Sequence, residues 1–259
     1  MKQQITAIAL GLLSAAPAAA DTVLGLTGDR TLVMIDTATA QVTGTMDIAV
    51  EGRVLGLDYR PNTREVIAVT EDFSVVTIDT ATGAVAPLVQ MQMPLPIAAG
   101  ASVIVDINPA ADALRFMSGT VNHRVNLASG AVTVDGSLHF DAASAQASMV
   151  PMVAGTAYSN AFGRPEATAM YNIDAAMNAL LRQTAPNDGT NVVIGALGAS
   201  VARPLAFDIA TDAGGLNTAW LAQGGMLHTI SLETGAVTGS WAIGGLEGAL
   251  RDMTVLPAM

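Results

Sequence analysis

Val75-Val-Thr-Ile-Asp-Thr-Ala-Thr-Gly-Ala-Val85 is the stretch on which the reading of this chain turns. It holds an apolar strand, a short polar cluster, a glycine and the start of a second apolar strand. That order describes a tight connection between antiparallel strands, because the glycine reaches positive φ without the clash a Cβ would bring. The phrase recurs. Leu32-Val-Met-Ile-Asp-Thr-Ala-Thr-Ala40, His123-Arg-Val-Asn-Leu-Ala-Ser-Gly-Ala-Val132 and Leu227-His-Thr-Ile-Ser-Leu-Glu-Thr-Gly-Ala-Val237 are copies of it. Met170-Tyr-Asn-Ile-Asp174 is a fifth copy that lacks the glycine. Asp36 and Asp79 stand where a side chain can bond the turn backbone, so these carboxylates read as structural.

A second phrase precedes the first. Leu55-Gly-Leu-Asp-Tyr-Arg-Pro61 matches Val103-Ile-Val-Asp-Ile-Asn-Pro109, with looser copies at Gly155-Thr-Ala-Tyr-Ser-Asn160, Leu205-Ala-Phe-Asp-Ile-Ala210 and Arg251-Asp-Met-Thr-Val-Leu-Pro257. Asp58, Asp106, Ala157, Asp208 and Thr254 thereby share one position. The spacing of about fifty residues is that of a four-stranded propeller blade. The last copy has nothing after it, whereas 22–48 supplies three strands with no first strand before them. Circular closure joins the two and hides two sheet edges. The expected fold is an all-β propeller of five blades: 251–257 with 22–48, 54–97, 102–141, 153–198 and 205–245. A β-sandwich would not give two alternating phrases, and a β-helix would need shorter coils. Asp174–Gln183 has helical propensity, but the repeat makes it a turn and a strand.

Around this repeat, the N-terminus reads as a secretory signal peptide over residues 1–20. Lys2 is followed by an apolar run from Ile5 to Leu13, too short for a bilayer of about 30 Å hydrocarbon. Pro17 and Ala18-Ala19-Ala20 then supply a helix breaker and a cleavage site, leaving Asp21 first and 21–259 as one domain. The expected location is outside the cytoplasm, periplasmic or extracellular. No later apolar run is long enough to span a membrane.

Of 259 residues 51% are hydrophobic and 13% charged, which supports a large core; aromatic residues are only 4%. The net charge of −11 disfavours nucleic acid as a partner. There is no cysteine, so neither disulfides nor thiolate chemistry is available. Lys2 is the only lysine, which excludes Schiff-base catalysis in the mature chain.

Several segments taken together resemble a family of exported bacterial proteins defined by a domain of unknown function, domain four-three-nine-four. They are Val23-Leu-Gly-Leu-Thr-Gly-Asp-Arg-Thr-Leu-Val33, the Leu55–Pro61 box, Ala157-Tyr-Ser-Asn160, Pro186-Asn-Asp-Gly-Thr190, Val193-Ile-Gly-Ala-Leu-Gly198 and Phe207-Asp-Ile209. The resemblance spans about 22–256 and implies a secreted, propeller-like protein without implying an activity. Ala40, where sister repeats carry glycine, departs from the pattern.

No nucleophile elbow, zinc helix, phosphate loop or EF-hand loop is present. His123, His139 and His228 have no spacing that would converge on zinc. The methionines, including the close pair Met91 and Met93, read as core filler. The candidate site is Asp58, Asp106 and Asp208, brought to one depth of a central channel, with Arg60 and Arg251 near enough along the chain to neutralise them. Three such carboxylates would take a hard cation, Ca²⁺ first, or raise one another's pKa; in the structural alternative each bonds backbone N–H groups between blades. The functional expectation is a binding or interaction module of the cell envelope, with a protein or small-molecule ligand. The alternative is a Ca²⁺-dependent hydrolase or lactonase-like enzyme using those carboxylates, and a third reading is a self-assembling surface protein.

Overall fold

The computed structural model describes residues 21–257, and the signal-peptide segment 1–20 lies outside the described residues. These residues form five sheets, each built on four antiparallel strands. The first blade runs from Asp252–Leu256 through Thr22–Thr27 and Thr31–Asp36 to Gln41–Asp47. Leu24 faces Thr254 across its closing pair, and Leu26 faces Asp252. The second blade comprises Val54–Arg60, Glu65–Thr70, Ser74–Ile78 and Val85–Gln90. The third comprises Val103–Asn108, Ala113–Ser118, Val121–Asn126 and Val132–Val134. The fourth has Val153–Tyr158, Met170–Asp174, Ala179–Ala185 and Thr190–Ala196, and the fifth has Leu205–Thr211, Asn217–Gln223, Met226–Ile230 and Val237–Ala242. The first strands of successive blades touch in a closed ring, so this is a five-bladed β-propeller with its N- and C-terminal strands in one blade.

One boundary differs from the repeat. His139–Phe140, assigned by spacing to the third blade, pairs parallel with Thr190 and Asn191 and becomes a fifth strand of the fourth blade. The third blade's last strand is only three residues long, and the chain leaves early to cover its neighbour's edge. Met170–Asp174 and Ala179–Ala185 are strands joined by a turn, as the repeat required against helical propensity.

The turns explain the repeated phrase. The residue four positions after the Asp, Asn or Ser of each copy has positive φ: Ala40 (54°), Gly83 (74°), Gly130 (71°), Asn178 (50°) and Gly235 (79°). Ala40 keeps the geometry of its glycine sisters, its N–H bonding the Asp36 carbonyl at 2.8 Å. The Asp36 carboxylate accepts from the Thr39 N–H and hydroxyl, and that of Asp79 accepts from the Ala81 N–H. Asn178 fills the position in the copy that lacks glycine, as a residue that tolerates the left-handed region.

The core lies between blades. Leu24, Leu57, Val66 and Ala68 pack blade one on blade two; Ile67, Val105, Leu114 and Phe116 pack blade two on blade three. Blades four and five meet through Leu180, Phe207 and Leu221, and blades five and one through Val23, Trp220 and Val255. Between blades three and four the apolar cluster is small, with Ile104, Met117, Tyr158 and Met170 in it. A guanidinium network supplements it: buried Arg115 donates to Asp135 at 2.7 Å, Asn122 at 2.8 Å, Asn187 at 3.1 Å and the Tyr158 hydroxyl at 3.2 Å. Nothing in the sequence pattern singles out Arg115, since its strand alternates like any other.

The carboxylate hub and the cavities above it

Asp58, Asp106 and Asp208 each lie on the first strand of a blade, two or three residues from its end. The ring brings them together: one carboxylate oxygen of each lies within 4.8 Å of the others, and all three residues are buried. Each reaches from its own blade to the next. Asp58 Oδ2 accepts the Ile107 N–H at 2.6 Å, Asp106 Oδ1 accepts that of Tyr158 at 3.2 Å, and Asp208 Oδ2 accepts that of Val255 at 2.6 Å. Thr254 is the first blade's member of the set. Its hydroxyl accepts the Tyr59 N–H at 3.0 Å and donates to Asp58 Oδ1 at 2.8 Å, with Asp208 Oδ2 3.2 Å away. Blade four has Ala157 at this position and nothing to offer. There the link to blade five moves outward, where the Ala161 N–H bonds Thr211 Oγ1 and that of Asn160 bonds Asn217 Oδ1, both at 2.8 Å. The carboxylates are thus blade-to-blade ties as well as a cluster.

Asp252 is a fourth acid beside them, half-buried, which the repeat did not single out. It sits two residues before Thr254, and its Oδ2 accepts the Leu57 N–H at 2.8 Å. Gly56 makes room for it, because a Cβ there would stand 2.5 Å from Asp252 Oδ2 and 2.7 Å from Val105 Cγ2. Of the residues two before the shared position in the other blades, Gly56, Gly155 and Ala206 are small and Ile104 is not; the small side chains in the two blades beside the first, Gly56 and Ala206, were the available signal.

The two arginines do not neutralise the hub. Arg60 points to the neighbouring hairpin and clamps Asp112 through Nε at 2.7 Å and Nη2 at 2.6 Å. Arg251 spends its guanidinium on backbone carbonyls, Gly28 at 2.7 Å, Asp29 at 2.9 Å, Leu55 at 3.1 Å and Val54. The two lie at opposite ends of a first strand, Arg60 closing Val54–Arg60 and Arg251 preceding Asp252–Leu256, and each is spent on acceptors of a neighbouring connection. The hub is therefore a set of acids buried without cations in direct contact. Burial, then the neighbouring carboxylate of Asp208, holds Asp58 well above the ordinary range. Burial, then Asp58 and Asp208, does the same to Asp106. Burial raises Asp208 to about 6 and Asp252 to about 8. An unpaired buried charge is too costly to keep, so such groups take a proton or a cation.

Four cavities are lined by hairpins that join first to second or third to fourth strands, so they share one face of the disc. Directly over the hub is a void of about 10 Å³, lined by the three aspartates and covered by Ala161 and Pro257. A single water needs roughly 10–15 Å³, so this space takes one water or one bare ion and no substrate. Beside it, a groove of about 620 Å³ runs between Tyr59, Arg64 and Val66 of blade two, the Ala161-Phe162-Gly163 loop of blade four, and Leu256-Pro257. That loop, 159–169 between strands, is far longer than the equivalent connection at 61–64 and arches over the channel mouth. A third cavity of about 480 Å³ lies between the same loop and Asp212–Gly215. The fourth, of about 450 Å³, lies between blades three and four. The histidines do not converge. His123 and His228 are buried in strands of different blades, and His139 is exposed with Nδ1 2.8 Å from the Ser137 carbonyl.

Closed ring, acidic ties between first strands and cavities at the channel mouth define a small five-bladed propeller with a protonatable hub. The chain matches the model of the family described as Domain of unknown function (DUF4394) over residues 31–254, and it belongs to that family. No curated protein matches it. Among solved structures it is similar to a protein of unknown function from Bacteroides thetaiotaomicron, at 13% identity and a TM-score of 0.52, covering 94% of this chain and 68% of the other. A protein of unknown function from Bacteroides caccae is similar at 13% identity and a TM-score of 0.44, over 88% of this chain and 75% of that one. An auxiliary nutrient binding protein from Bacteroides ovatus is similar at 13% identity and a TM-score of 0.45, over 78% of this chain and 56% of that one. At such identity the first of these speaks for the fold alone. No helix among the described residues is long and apolar enough to cross a membrane.

Proposed function

We propose that the protein is an exported, non-catalytic binding module of the cell envelope whose ligand occupies the groove at the channel mouth. The observation that carries this reading is the contrast between the two spaces over the ring: about 10 Å³ at the carboxylates and about 620 Å³ beside them. Small-molecule sites occupy roughly 300–1,000 Å³ and combine apolar walls with a few polar groups. The groove answers that description with Tyr59, Val66, Phe162 and Leu256 for contact, and Arg64, Glu65 and Asp79 for orientation. Phe162 lines the groove and is 47% exposed, a large apolar surface available for contact. Export rests on the order of basic, apolar and small residues in 1–20. Hydroxyl-radical footprinting of residues 21–259 in a small-molecule extract of the envelope tests the assignment. Labelling of Phe162 and Pro257 should fall while that of Trp241, exposed on another blade, stays constant. Unchanged labelling of Phe162, or turnover of a lactone or ester, would remove the reading.

A cation-holding hub, and with it a Ca²⁺-dependent hydrolase, is favoured by one observation, the three carboxylates within 4.8 Å of one another. They would supply a hard cation with oxygen ligands, and Ca²⁺ takes six to eight of these. The space leaves room for the ion but little for further waters. Thermal unfolding in EDTA, then with Ca²⁺, Mg²⁺ and Zn²⁺, separates the readings. A rise of the midpoint with one metal, abolished by Asp58→Asn, would promote the cation; no shift would leave protons as the hub's counter-charge.

A further inference from the structure

The cleft between blades three and four is walled unlike the groove. Its lining includes Arg115, Arg124, Tyr158, Asn108, Asn187 and Asp188. Both guanidiniums bond the same carboxylate, Asp135, from Arg115 Nη1 at 2.7 Å and Arg124 Nη2 at 3.2 Å. Asp135 is no part of the cavity wall, so the cleft presents two guanidiniums against the single carboxylate of Asp188. With Asp135 counted, two guanidiniums balance two carboxylates, so the cleft is locally neutral in a chain of net charge −11. Arg115 is already held on four sides and is rigid, whereas Arg124 is 39% exposed and has Nη1 hydrogens free for an acceptor in the cleft. Asn187 spends its oxygen on Arg115 Nη2, which leaves its amide N–H groups as donors. Asn108 spends its oxygen on the Ala110 and Ala111 N–H groups and bonds the Tyr158 hydroxyl through its amide, which leaves one N–H as a donor.

We propose that this cleft binds a small hydroxylated carboxylate of the sugar-acid kind. Its carboxylate lies against Arg124 and the edge of Arg115, and its hydroxyls bond Asp188, Asn108 and Asn187. Planar guanidiniums recognise carboxylates through paired hydrogen bonds, and a lone acid opposite them selects a ligand that also carries donors. The volume of about 450 Å³ suits a monosaccharide-sized molecule. This site is independent of the groove over the hub, and neither requires the other.

Calorimetry and thermal unfolding of residues 21–259 with galacturonate, glucuronate, galactose and inorganic phosphate test it. A uronate should bind and raise the unfolding midpoint, while neutral galactose and phosphate should not. Arg124→Gln keeps Asp135 paired with Arg115, so the unliganded midpoint should stay near that of the natural chain. It should weaken uronate binding roughly ten- to a hundredfold, the equivalent of one charge-assisted hydrogen bond. Asp188→Asn should weaken the uronate and leave simple carboxylates such as acetate unaffected. Absence of any uronate effect, equal binding of galactose or phosphate, or undiminished binding in Arg124→Gln would overturn the proposal.

Discussion

Replacing Asp106 by Asn should stabilise this protein at alkaline pH, although it alters a buried residue in the tie between two blades. Asp106 Oδ1 accepts the Tyr158 N–H. Among the described residues no donor hydrogen-bonds to its Oδ2, whereas both oxygens of Asp58 and of Asp208 are taken by backbone N–H groups or Thr254. The hub's proton therefore belongs on Asp106 Oδ2, from where it can be donated to a neighbouring carboxylate. An asparagine keeps the accepting oxygen and puts a permanent N–H in place of that proton. The sign follows from linkage. Burial and mutual repulsion raise the folded pKa of Asp58 and Asp106, and burial takes Asp208 to about 6 and Asp252 to about 8, all from an ordinary 3.8. The folded state holds more protons than the unfolded chain above pH 4, so the stability present below that pH is lost as pH rises through 6 and on through 8. Each retained proton contributes a slope of about 1.4 kcal/mol per pH unit. Asp106→Asn removes one such proton, so its stability should fall less steeply between pH 5 and 8. Across that range the difference between the two proteins should grow by up to about 1.4 kcal/mol per pH unit, outweigh a packing cost of about 1 kcal/mol, and favour the variant at pH 8. Urea unfolding in EDTA at four pH values measures both slopes. Parallel curves for the two proteins would refute the placement of the proton, as would a variant less stable at every pH.

The contrasting variants are informative too. Gly56→Ala would press a methyl group on Asp252 Oδ2 and Val105 Cγ2; equilibrium unfolding should show a loss of about 1–3 kcal/mol, and an unchanged midpoint in urea would mean that the two strands separate freely. Secretion of the full chain followed by N-terminal sequencing should return Asp21 as the first residue, and recovery of an intact Met1 in the cytoplasm would remove the export reading.

The repeat made most of the fold legible. Two phrases, each with its own turn chemistry, located the blades, the closing strand and the strand pair at 170–185 that propensity would have drawn as helix. The turn position survived two substitutions: Ala40 keeps the N–H bond to the residue four back, and around Asn178 the Asp174 carboxylate holds the turn through the Ala176 and Met177 N–H groups. Spacing misplaced His139–Phe140, since a short last strand leaves an edge open and a following segment of either blade can fill it. The hub was half legible: equivalent positions in a closed ring must converge, so Asp58, Asp106 and Asp208 had to meet. Asp252 belongs to the layer beneath and carries no repeat of its own.

The sequence by itself therefore determined periodicity: which residues are strands, how many blades close, and which positions share a depth. Those are consequences of local geometry and of chain order. Only the tertiary structure decided the partners. Arg60 found Asp112 and Arg251 found carbonyls in place of the hub, blade four's long loop covered the channel, and two arginines of blade three came to face Asn187 and Asp188 of blade four. Such pairings depend on where side chains from distant segments end, within a few ångströms, and no one-dimensional pattern records that distance.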